Sequence, residues 1–155
     1  MTYARRAGLL LFMTGFTSFG ANRALAAGPY SYFPLTPCRF VDTRDSSLQG
    51  GAPLSSFVVK TFTAKGKCGI PSTAKAVSVN VTIAGPGGAG FLTLYPSGAT
   101  KPLVSVINWK STDNALANGA VVPLGSASTS ELSAYEESNG TGTVNLILDA
   151  TGYFQ

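Results

Sequence analysis

Ala76-Val77-Ser78-Val79-Asn80-Val81-Thr82-Ile83 is the stretch whose reading decides the fold. Val77, Val79, Val81 and Ile83 alternate with Ser78, Asn80 and Thr82, and a period of two with β-branched apolar residues predicts a strand with one face in a core. Gly85-Pro86-Gly87-Gly88-Ala89-Gly90 follows, and such a run predicts a turn because it cannot hold a ladder. Phe91 to Tyr95 resumes the strand pattern before Pro96-Ser97-Gly98 closes it.

The same alternation extends in both directions. Downstream, Leu103 to Trp109 predicts a strand, Ser111 to Gly119 a polar loop, and Ala120 to Leu124 a short strand that Pro123 confines to an edge or a bulge. Leu132 to Glu136 precedes the turn Ser138-Asn139-Gly140-Thr141-Gly142, and Thr143 to Tyr153 closes the series with Val144, Leu146, Leu148 and Ala150 on one face. Upstream, Arg39 to Thr43 and Phe57 to Thr63 add two more. About eight short strands, with no helical period and no tandem repeat, predict an all-β chain folded as an antiparallel β-sandwich, jelly-roll-like. Residues 38–155 read as its single domain.

The N-terminus follows a different rule. Two arginines, Arg5 and Arg6, precede an apolar stretch from Ala7 to about Phe19, and Ala24-Leu25-Ala26 precedes Ala27. This is the pattern of a secretory signal peptide over residues 1–26. Thr14, Gly15, Thr17 and Ser18 break the apolar stretch, which is shorter than the roughly 20 residues a membrane span needs. The expectation is a secreted, extracellular protein with no membrane span once the signal is removed.

Export changes the charge balance. The chain carries 11 Lys+Arg against 7 Asp+Glu, but Arg5, Arg6 and Arg23 lie in the signal, which leaves eight basic groups against seven acidic ones. A remainder this close to neutral gives no reason to expect nucleic acid as a partner. Two cysteines, Cys38 and Cys68, remain in the exported part. In an oxidising compartment an even pair predicts one disulfide, worth about 3 to 4 kcal/mol by loop closure.

Three stretches then occur in a telling order: Pro37-Cys38-Arg39-Phe40-Val41-Asp42-Thr43-Arg44, Val79-Asn80-Val81-Thr82 running into Gly90-Phe91-Leu92-Thr93-Leu94-Tyr95-Pro96, and Leu148-Asp149-Ala150-Thr151-Gly152-Tyr153-Phe154. The chain resembles the bacterial extracellular β-rich modules that begin with a PCR…DTR motif and end with D…GYF. The resemblance spans nearly all of the exported part and implies a β-sandwich of secreted surface proteins, in a family whose biochemical role is largely unassigned. The residues themselves suggest a role for the motifs. Asp42 and Arg44 are two apart and share a strand face, and Asp149 interrupts an apolar strand, so Arg44 is expected to pair with Asp149 or Asp42 and tie the first strand to the last.

Catalysis has little to build on, and the expectation is no enzyme. There is no histidine, which removes Ser-His-Asp triads, Cys-His pairs and His-ligated metals. The seven carboxylates are Asp42, Asp45, Asp113, Glu131, Glu136, Glu137 and Asp149, and adjacent Glu136 and Glu137 read as a solvated strand edge rather than a facing pair. No calcium loop occurs, and neither a metal nor a cofactor is expected. Two binding readings remain. Residues 27–37 form an uncharged arm with Tyr30, Tyr32, Phe33 and Leu35, which predicts a donor strand or contact between subunits, and hence a homo-oligomer or a filament. Alternatively Trp109, Tyr95 and Tyr135 form a platform for an extracellular polysaccharide. The function expected is a secreted structural or adhesive subunit of the cell surface or matrix, with a carbohydrate-binding module as the alternative.

Overall fold

The computed structural model describes residues 28–126, 129–139 and 142–155. The signal peptide expected over residues 1–26 lies outside them. Two antiparallel sheets pack face to face as a β-sandwich of nine strands. The first sheet has the order β1 (Tyr32–Asp42), β9 (Thr143–Phe154), β4 (Ala76–Ala84), β7 (Ala115–Pro123), with β2 (Leu54–Ser55) pairing the start of β9. The second has the order β3 (Val59–Phe62), β8 (Leu132–Ser138), β5 (Gly90–Pro96), β6 (Ile107–Trp109).

Alternation places the core. Val77, Val79, Val81 and Ile83 of β4 and Val144, Leu146, Leu148 and Ala150 of β9 are all buried, and they meet Leu92 and Leu94 of β5 and Leu132 and Ala134 of β8 from the other sheet. Burying a set of this kind is the main force holding the sheets together, at roughly 25 cal/mol per Å² of apolar surface removed from water. Cys38 and Cys68 form a disulfide with Cα atoms 5.7 Å apart, linking β1 to the loop before β4.

Two stretches depart from the expected strands. The segment Leu103 to Val106 is not a strand; it crosses the outer face of the second sheet, where the Thr93 hydroxyl donates to the Val104 carbonyl at 2.7 Å. Its β-branched composition is overridden by that tether, and β6 begins only at Ile107. The second departure is β7. It starts at Ala115 rather than Ala120, because Ala115 to Gly119 pair residue by residue with Ala84 to Asn80 despite poor strand propensity. Pro123 ends β7, an edge strand, where its missing N–H costs no ladder bond.

The arm is the third finding. Residues 32–37 are the first half of β1, continuous with the motif that follows, and pair with β9 of their own chain: Tyr32 lies opposite Phe154 and Phe33 opposite Tyr153. Both pairs are aromatic contacts with ring centroids 5.1 Å apart. Among the described residues no helix is long and apolar enough to cross a membrane.

Candidate functional site

The motif residues meet along the seam between β1 and β9. Antiparallel pairing sets Arg39 opposite Asp149, and the guanidinium donates to both carboxylate oxygens at 2.8 and 3.2 Å. The same guanidinium reaches Asp42 at 3.3 Å. Arg44 donates to Asp42 at 2.8 and 2.7 Å from its side chain and at 3.1 Å from its backbone. The cross-strand tie to Asp149 is therefore made by Arg39, and Arg44 pairs with Asp42. The reason is register, because Arg39 lies directly opposite Asp149 while Arg44 lies beyond the end of β1. Hydrogen bonds from Arg44, set against the cost of burial, hold the Asp42 carboxyl down at about 2.

Other motif residues complete the seam. The Thr43 hydroxyl accepts from the Leu146 N–H at 2.9 Å, and the Tyr32 hydroxyl donates to the Thr151 carbonyl at 3.0 Å. A Cβ at Gly152 would meet the Tyr32 ring, so a larger residue there would displace the ring and its hydrogen bond. The seam ties strand to strand, and both of its carboxylates, Asp42 and Asp149, are ion-paired.

The remaining acidic groups are also engaged structurally, with one exception. Asp45 accepts from the Ser47 N–H at 2.8 Å, Asp113 from the Lys110 N–H at 2.7 Å, and buried Glu131 from the Ala64 N–H at 2.9 Å. Glu137 accepts from the Tyr135 hydroxyl at 3.0 Å. The exception is Glu136, expected on a solvated edge but fully buried on the core face of β8. Neither carboxyl oxygen has a hydrogen-bond partner among the described residues. Desolvation pushes its carboxyl above the ordinary glutamate value; the neighbouring Ser138 side chain offsets part of this, and the charge of Glu137 adds to it. The sequence signal was available: Glu136 shares the parity of Leu132 and Ala134, which face the core. Among the described residues no group of three or more His, Cys, Asp or Glu could hold a metal ion.

The aromatic platform does not assemble. Trp109 is buried in the core, where its Nε1 donates to the Gly88 carbonyl at 2.8 Å, so its face is not open to a sugar. Tyr95 is buried beneath the outer face of the second sheet, and the Lys101 ammonium lies 3.9 Å from the centre of the Tyr135 ring. A surface hollow of about 320 Å³ lies nearby, lined by Phe91, Lys101, Leu103, Asn108 and Glu137 among others. At its rim Leu103 is 96% exposed.

Of the four arm residues, Tyr30, Tyr32 and Phe33 are exposed on one side, while Leu35 packs against the core. They do not form a detached segment. The open edge of the first sheet is instead β7, which sequence reading had divided between a loop and a short strand. Its nine residues carry no charge, and all but Ala120 and Val122 are exposed. Among the described residues no backbone hydrogen-bonds to its free side.

An all-β sandwich closed by one disulfide, with an ion-paired seam and, among the described residues, a long uncharged edge at β7, is the class of protein these features define. Comparison with protein-family models, with curated proteins and with solved structures finds no match.

Proposed function

We propose that the protein is an exported, non-catalytic structural or adhesive subunit of the cell surface or extracellular matrix, working by association with copies of itself. The observation that carries this reading is β7, a long, uncharged, unprotected strand edge. Natural sheets blunt such edges with lysines, prolines, bulges or short strands because an open ladder recruits another strand. An edge left open is suited to adding one. The structural engagement of the carboxylates supports a role without catalysis, and the disulfide together with the signal-like N-terminus supports an oxidising, extracellular setting. The resemblance to secreted surface modules points the same way. Filaments would follow if Tyr32 to Pro34 left β9 of their own chain for β9 of the next.

Electron microscopy of the purified protein, with molecular mass measured across a concentration series, tests the reading. Assemblies whose mass grows with concentration are expected, and deletion of residues 28–37 should shorten any filaments. A single-chain mass at every concentration would contradict it.

A second reading, glycan binding, is favoured by the hollow over Phe91, which combines an aromatic floor with the planar polar groups of Asn108 and Glu137. Chemical-shift changes at Phe91 and Asn108 on adding polysaccharide fragments would support it. No change with any fragment would dismiss it.

A further inference from the structure

Resting on the reading that copies associate, we infer that β7 is the contact and that a second copy of this chain adds to it, antiparallel, about a two-fold axis through Gly119. Three observations on the molecule lead there.

The first is the contrast among edges. On the opposite side of the same sheet, β1 carries Pro34 and Pro37, which lack the N–H an added strand would need, and its ladder to β9 is irregular between Pro34 and Cys38 and again between Arg39 and Val41. In the second sheet the edges are short, four residues in β3 and three in β6. Among the edges of the described residues only β7 runs for nine residues without charge and without proline before its last position. One adequate edge per chain favours an isologous pair, in which the same strand serves on both sides.

The second observation is Gly119. It lies at the middle of β7 opposite Asn80, where glycine weakens a strand, yet it does not adopt a positive φ, and a Cβ there would meet nothing within 4 Å. The chain's own packing gives no reason for glycine at this position. A shallow hollow of about 300 Å³, lined by Ser78, Asn80, Gly119, Val121 and Thr151 among others, opens on the same face. Glycine in a strand interior suits a place where another backbone approaches closely.

The third is self-complementarity. A two-fold through Gly119 sets Ala117 opposite Val121 of the second copy on the outer face, and Leu116 opposite its Val122 on the core face. Val121 is 58% exposed and Leu116 37%, so each exposed apolar side chain of the strand gains an apolar neighbour. No charged groups are brought together, and two five-stranded sheets would become one continuous sheet across the pair.

Paired charges test the register. Ala117→Lys with Val121→Lys sets like charges opposite each other twice, whereas Ala117→Glu with Val121→Lys sets opposite charges in the same places. Within the chain these positions pair with Thr82 and Ser78, so neither variant creates a charge clash in the folded monomer. Circular dichroism checks folding, and sedimentation equilibrium reads the mass. The wild type and the Glu/Lys variant are expected as pairs, and the Lys/Lys variant is expected to self-associate at least about tenfold more weakly. If the wild type associates and the Lys/Lys variant associates equally well, β7 is not the contact, although the wider reading stands. A wild type that is a single chain at every concentration overturns both.

Discussion

Glu136 and Asp42 are both buried carboxyls, and their surroundings drive them in opposite directions. Glu136 has no cation beside it, so desolvation raises its pKa in the folded chain above the ordinary 4.5. Folding then takes up a proton, so Glu136 destabilises the fold least below about pH 4.5 and increasingly as pH rises through the folded-state value. Glu136→Gln, which fixes the neutral form, is expected to raise the melting temperature at pH 8 and leave it nearly unchanged at pH 4, a difference that calorimetry at the two pH values would detect. Asp42 is held at about 2 against an ordinary 3.8, so its contribution is present above about pH 4 and is lost as pH falls toward 2. That shift corresponds to about 2 kcal/mol, but both arginines are half exposed to water, which reduces the expected cost of Asp42→Asn to about 1 kcal/mol at pH 7. Urea titrations at pH 7 and pH 2 measure it, and the cost should fall to a small fraction at the lower pH, where the folded-state carboxyl is about half protonated.

Among the elements, β1 and β9 carry the architecture of the seam. Arg39 bridges two strands and two carboxylates, while Arg44 is confined to its neighbour Asp42. A double-mutant cycle of Arg39→Ala and Asp149→Ala is expected to give a coupling of about 0.5 to 1 kcal/mol, and Arg44 with Asp149 none. Element by element, the sequence is legible where alternation is strong. β4, β5 and β9 lie close to where Val, Ile and Leu at every second position put them, and β8 close to where the Leu132 and Ala134 alternation does. It is illegible where tertiary contacts override composition: Ala115 to Gly119 look like a loop but pair along β4, and Leu103 to Val106 look like a strand but cross over β5. The Cys38–Cys68 bridge was readable from the compartment, whereas register, which decides between Arg39 and Arg44, was not. Trp109 was misplaced for a similar reason, since alternation alone does not reveal which face of a three-residue strand is inward.

For the whole molecule, the sandwich buries its inner faces and closes its long β1 edge with prolines, and β7 is the exception to that economy. A strand that forms hydrogen bonds on one side only should exchange its outward amides quickly in a monomer and slowly in a pair. The fold alone assigns no partner; the proposal of a second copy rests on the edge, the glycine at its centre and its self-complementary side chains. Hydrogen exchange of the outward amides of β7, those of Ala115, Ala117, Gly119 and Val121, followed from dilute to concentrated protein, tests this most directly. The expected result is protection of these amides that grows with concentration in step with the measured mass. Exchange in β7 that is independent of concentration, whatever the mass, would contradict it.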